Sequence, residues 1–352
     1  MNRIKVVVTF GLIMASYLLN GQNTALWLRE PAISPDGKTI VFRYKGDLFT
    51  VPVEGGKANQ ITTNPEFDGS PVWSQNGDKI AFSSCRNGNF DVYVMSSEGG
   101  SPKRITTNSA KETPLAFSAD GQEVFFKAHY IKDSEFSQFP NSGFTELYAV
   151  SVNGGRPGRV SSVAMSTLSF DNSGGKLLYE DITGYENFWR KHHKSSVAHN
   201  IWLYDIEADR YAQVVDYKYE TRNPIFCPVD NNYMYYLSEK DGTMNVYKRN
   251  IAEGTEEQIT FFENNPVRFL SVDKKGTLCY SYDGEVYVSR DGNSVQKVDI
   301  QVITDDAERE YRVQFKKDGI NSVEVSPNGK EIAFIIRGDV YVTSAEYSNT
   351  RR

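Results

Sequence analysis

The chain has 352 residues, of which 24% are charged and 39% hydrophobic, with 21 Tyr and 20 Phe. That composition belongs to a folded, β-rich protein and argues against disorder. A net charge of −6 argues against nucleic acid as a partner, because a phosphate-binding surface shows as a basic excess.

At the N-terminus, Arg3 and Lys5 precede an apolar run over residues 6–19, and small Gly21 follows. These are the charged, hydrophobic and cleavage regions of an export signal. Fourteen apolar residues fall short of the roughly 20 that a spanning helix needs. The expectation is a signal peptide over residues 1–21 and a periplasmic or secreted mature chain starting at Gln22, with no membrane span.

After Gly21 one pattern recurs. The segment "DLFTVPVEGGKANQITT" at residues 47–63 returns as "DVYVMSSEGGSPKRITT" at residues 91–107. Seven units share its grammar: a turn such as "SPDG" at Ser34 or "SPNG" at Ser326, an alternating strand such as "TIVFRY" or "EIAFII", then an acidic or amide residue, an aliphatic and an aromatic. The third-strand openers are Asp47, Asp91, Glu146, Asn200, Asn245, Glu285 and Asp339. Seven copies of one polar position imply a hydrogen-bonding role within the unit. The first six units also end in a short strand, from "QITT" to "KVDI". Four strands repeated every 40 to 55 residues are the blades of a β-propeller. The expected fold is all-β, with six complete four-stranded blades over residues 22–302, a polar linker over 303–320 and a partial seventh unit over 321–352 that stops before its fourth strand.

Two connections between second and third strands are long, residues 127–145 in blade three and 181–199 in blade four. Such connections emerge where one blade leads to the next, so both border one mouth of the central channel. The first contains Phe136 and Phe139, the second Tyr185, Trp189, Arg190, Lys191, His192 and His193. Aromatics beside Arg suit peptide or protein contacts, and these eight residues are the candidate binding set. The competing reading is that the aromatics tuck the connections against the blades.

Signals for catalysis are weak. No Gly-x-Ser-x-Gly occurs, and Ser173 stands in a blade turn where such residues serve the backbone. His129, His192, His193 and His199 show no zinc spacing, and the Asp-rich turns lack a calcium loop's ligand ladder. Cys85, Cys227 and Cys279 match neither a metal nor a redox spacing, and Cys227 and Cys279, inside apolar strands, read as small buried hydrophobes. Neither cofactor nor metal is expected.

The "SPDGK" turn, the "DLFTVPVEGG" strand and the "QIT" closing strand resemble the propeller repeats of TolB and of the tricorn group of serine peptidases. Residues 26–52, "LWLREPAISPDGKTIVFRYKGDLFTVP", and 184–205, "GYENFWRKHHKSSVAHNIWLYD", resemble the first propeller of tricorn-like peptidases in particular. That resemblance implies a six-bladed propeller followed, in the family, by a seven-bladed propeller, a PDZ domain and a catalytic region with a Ser nucleophile and a His base. Only the first propeller and the opening of the second have counterparts here. The implied role is an exported, noncatalytic module that admits, guides or docks peptides for such a peptidase. A stand-alone TolB-like periplasmic protein-binding propeller is the alternative, and the propeller of a prolyl-oligopeptidase relative a third.

Overall fold

The computed structural model describes residues 25, 27–130, 144–182, 184, 196–215, 219–290, 294–303, 319–336, 338–346 and 350–351. Each recurring motif has a backbone task. In blade one the Ser34 hydroxyl donates to Asp36 Oδ1 at 2.6 Å and accepts the Thr39 N–H at 3.0 Å, while Gly37 turns the chain at φ 75°. This closes a tight turn between the first strand, Arg29–Ile33, and the second, Thr39–Tyr44. The next connection brings Phe42 opposite Phe49 on the third strand, Asp47–Pro52, with ring centroids 5.8 Å apart. The same cross-strand pair recurs as Phe82–Tyr93, Phe126–Tyr148, Tyr236–Tyr247 and Tyr280–Tyr287. Such facing aromatics stabilise an antiparallel pair beyond their area.

The closing motif "QIT" is explained by its threonine. The buried hydroxyls of Thr62, Thr106 and Thr260 accept the backbone N–H of Leu48, Val92 and Val246, each at 2.8 to 2.9 Å. Those are the residues next to the polar openers of the third strands. Asn245 adds bonds to Thr260 and to the Phe262 N–H, both at 2.9 Å. In blades two, three, five and six the repeated acidic or amide position thus fastens the fourth-strand segment to the third, whereas in blade four Asn200 bonds Asp181 instead.

Six four-stranded sheets follow in order over residues 29–60, 68–104, 112–161, 165–215, 221–258 and 268–297. Their first strands neighbour one another all the way round, including the first strand of blade six against that of blade one, so these strands form the inner wall. One small sheet cannot bury both of its faces, and the wedges between sheets do so instead. A cluster with Val41, Leu48, Ile80 and Phe82 fills the wedge between blades one and two. Corresponding clusters join two to three, three to four, four to five and five to six. A further cluster joins Ile40, Phe42 and Phe49 of blade one to Cys279, Val286 and Val288 of blade six. The ring is thus closed by six blades. A short parallel pairing of Ile300–Gln301 with Gly56–Lys57 latches the chain after blade six onto blade one.

The seventh unit differs from its sequence reading in one respect. Thr350–Arg351 pairs with the third strand, Asp339–Ser344, so this sheet does have a fourth strand, though only two residues long. Two backbone hydrogen-bonding positions suffice for that pairing, and they lie beyond a polar segment in which no alternation is visible. The unit contributes to none of the six wedge clusters, and Val323 and Val340 stay 58% and 56% exposed. No helix among the described residues is long and apolar enough to cross a membrane.

Candidate channel-end site

The first strand of every blade in the ring carries a register shift against its second strand near its beginning. Extra residues of this kind bend a strand and re-aim its side chains. Four of them hold a left-handed backbone without being glycine: Glu30, Ser70, Asn223 and Phe269, at φ 53°, 52°, 48° and 57°. Such conformations persist only where the surroundings fix them. At Ser70 and Asn223 a carboxylate from the preceding blade does so. Glu30 Oε2 accepts the Ser70 N–H at 2.7 Å, and Glu180 Oε2 accepts the Asn223 N–H at 3.0 Å.

These carboxylates belong to a belt of buried charge at the channel end where second strands finish and first strands begin. In blade one, Arg43 grips Glu30 with Nε at 3.0 Å and Nη2 at 3.3 Å. Burial opposes ionisation of Glu30, but Arg43 and the Ser70 N–H hold its carboxyl below the usual range. In blade two, Arg86 Nη2 bridges both oxygens of Asp68 at 2.9 and 3.0 Å. Between blades three and four, Lys127 Nζ donates to the Ser166 carbonyl at 3.2 Å. Burial pulls its ammonium down to about 8 against the pull of Glu180. In the next sector the His199 Nδ1 lies 2.7 Å from Glu220 Oε1, its Nε2 lies 4.0 Å from Glu180, and Arg222 Nε donates to Glu220 at 2.6 Å. Burial pushes Arg268 down to about 10, with Arg222 adding to the effect.

The roots of both long connections stand on this belt. Tyr130, where the described part of the blade-three connection stops, donates its hydroxyl to Glu112, and its ring lies tilted 4.4 Å from that of Tyr148. His129 Nδ1 meets the Phe144 carbonyl at 2.9 Å, tying the two ends of that connection together. In blade four, Asp181 accepts from the Asn200 N–H at 2.7 Å and the Trp202 indole at 3.0 Å. His199 ends that connection. The candidate residues Phe136, Phe139, Tyr185, Trp189, Arg190, Lys191, His192 and His193 lie outside the described residues. What the structure adds is the rigid polar floor from which their connections rise.

The belt was not singled out from the sequence. Its signal was present as charge at the beginning of first strands, in Glu30, Asp68, Glu112, Arg222 and Arg268, and at the end of second strands, in Arg43, Lys127 and Glu180. In the sequence those positions lie in separate blades, and no local pattern joins them into one surface. Among the described residues no group of three or more His, Cys, Asp or Glu could hold a metal ion. Burial pushes the Cys279 thiol up to about 12, which leaves it a packing residue.

A family model described as the tricorn protease N-terminal beta propeller domain matches residues 25–294. The chain belongs to that family. A tricorn protease homologue from Saccharolobus solfataricus is 23% identical over 318 residues, covering 87% of this chain and 27% of the relative. A dipeptidyl-peptidase 5 from Porphyromonas gingivalis is 34% identical over 73 residues, 18% of this chain and 11% of that protein. The crystal structure of the tricorn protease superposes with a TM-score of 0.65 at 20% identity, over 93% of this chain and 31% of that one. The match to the tricorn N-terminal propeller thus covers the ring up to the start of its last strand, and the chain spans about a quarter of its curated tricorn relative. As a fold, this is a propeller of the peptidase-associated kind.

Proposed function

We propose that this tricorn-type propeller is a noncatalytic module that admits, guides or docks peptides for a serine peptidase, and that it works after export. The observation that carries the reading is the channel end: two long connections on adjacent blades, rooted on buried and mutually bonded charge, in a chain whose family is a peptidase propeller. A rigid scaffold with unequal loops is where recognition is placed. Peptides or proteins are the partners this surface suits, through the aromatic and basic side chains of the blade-four connection.

Binding of unstructured fluorescent peptides to residues 22–352 tests the proposal. Replacing Trp189 and Arg190 together by Ala is expected to weaken binding by roughly 1 to 3 kcal/mol, with the melting temperature unchanged. A collapse of melting temperature with unaltered binding would place Trp189 in the packing and overturn the assignment. The same purified chain is expected to show no peptidase turnover once host proteases are removed. Export is checked separately, by N-terminal sequencing of the periplasmic or secreted material, with Gln22 as the expected first residue.

A further inference from the structure

Where blade two meets blade three, two carboxyl groups are packed together without solvent. Asp91 and Glu112 are each 0% exposed, and they stand close enough for the Asp91 charge to oppose ionisation of Glu112. Asp91 has a cation, Arg104 Nη2 at 2.8 Å, and the amide of Asn89 at 3.5 Å. Glu112 has no cation to itself: its Oε1 accepts the Tyr130 hydroxyl, and its buried Oε2 receives no donor at hydrogen-bonding geometry. Its backbone is fixed as well, the N–H donating to the Phe90 carbonyl and the carbonyl accepting from the Ser83 hydroxyl, both at 2.8 Å. Two like charges so placed resist being ionised together, and a buried carboxylate oxygen without a well-placed donor favours a proton of its own, against the pull of the Thr106 hydroxyl.

We propose that Asp91 and Glu112 hold one proton between them, as ionised Asp91 against Arg104 and neutral Glu112 donating through Oε2, and that this proton makes the seam between blades two and three firmer in acid than at neutral pH. The groups facing the pair are Arg104 and the Thr106 hydroxyl from the fourth strand of blade two, Asn89 from its second-to-third connection, and Tyr130 from blade three. Tyr93, beside the Arg86–Asp68 pair, also faces Asp91, and Tyr148 lies against Tyr130. Burial pushes Glu112 up to about 7, in agreement with this arrangement, and pushes Asp91 upward too. Because Tyr130 hangs on the same carboxyl, the proton sits directly beneath the root of the blade-three connection.

The sign follows from a folded-state value raised above the unfolded one: the stabilisation is complete below about 4.5 and is lost as pH rises to about 7. Glu112→Gln mimics the neutral acid, since its amide donates to Asp91 and its carbonyl still accepts from Tyr130. Urea unfolding of the full chain and of Glu112→Gln between pH 4.5 and 8 is the test. The ratio of the wild-type to the variant unfolding constant is expected to rise about tenfold per pH unit up to the upper value and then to level off. Parallel profiles would overturn the proposal. If Glu112→Gln does not fold, amide exchange in the wild type decides. The Glu112 N–H should lose protection over this window, after correction for its intrinsic rate, relative to the Val298 N–H on the far side of the ring. Equal changes at both amides would sink the idea.

Discussion

Single residues in this propeller act through the backbone more than through their own surface. Thr62 shows it: its buried hydroxyl accepts the Leu48 N–H at 2.8 Å. Thr62→Val keeps the volume and orphans that donor, so urea unfolding should report a loss of about 1 to 3 kcal/mol. Gly37 offers a sharper contrast. An added Cβ would stand 2.2 Å from Asp273 Oδ2, at φ 75°, and Asp273 is itself pinned by the Thr277 N–H at 2.7 Å. Gly121 has nearly the same backbone, φ 69°, with open space around it. Gly121→Ala should therefore cost only the strain of the left-handed backbone, about 1 to 2 kcal/mol, and Gly37→Ala clearly more in parallel melts. His199 carries a pH signature. Burial alone would lower its value, but the bond to Glu220 and the charge of Glu180 outweigh burial and raise it above 6.5. Its contribution is then complete below the unfolded value and fades as pH rises through the folded one. The stability advantage of wild type over His199→Gln should shrink on going to alkaline pH; an advantage that is constant with pH would refute this.

At the scale of elements, the long connections are held at their roots by carboxylates. Asp181 is the clearest case, because it satisfies the Asn200 N–H, the Asn200 amide at 3.2 Å and the Trp202 indole together. Asp181→Ala leaves these donors in a mostly dry site, and a loss of about 1 to 3 kcal/mol is expected for each one that finds no substitute. The third strand of blade four, Ile201–Asp205, should show it first as faster amide exchange at residues 201 and 202. The seventh sheet is an element of a different sort. Its alternating apolar pattern is that of a blade, yet its side chains stay partly exposed because no sheet of the ring covers them. An uncovered apolar sheet with a two-residue edge strand promotes association.

For the whole molecule, closure of the ring decides what can be removed. Val298 and Ile300 are buried in the cluster that joins blade six to blade one, and Ile300–Gln301 supplies the parallel latch. Truncation after Val302 keeps both, so the shortened chain should melt as cooperatively as the full one and be more soluble. Truncation before Val298 removes them and exposes a wedge, and should lower the melting temperature with loss of cooperativity. Equal behaviour of the two truncations would show that the latch contributes nothing to closure.

The repeat by itself determined the architecture: alternation in "TIVFRY" fixes which side chains meet a neighbouring blade, and "SPDG" and "QIT" fix the turns and the closing strand, because these are short-range demands of backbone geometry and hydrogen bonding. It also located both long connections, since an interruption in a regular period is visible without any coordinates. Three things were decided only by tertiary structure. The number of blades depends on whether Phe42 and Phe49 can pack against Val286 and Val288, residues more than two hundred positions away, and that is a matter of the angle between successive sheets. The belt of charge arises because five of the six first strands place Glu30, Asp68, Glu112, Arg222 and Arg268 at one end of one channel, a convergence that no local window contains. The shared proton needs Asp91 and Glu112 to meet across a seam between sheets. Local pattern sets what each strand does; long-range closure sets which strands face each other, and the polar chemistry of this protein lies in that second choice.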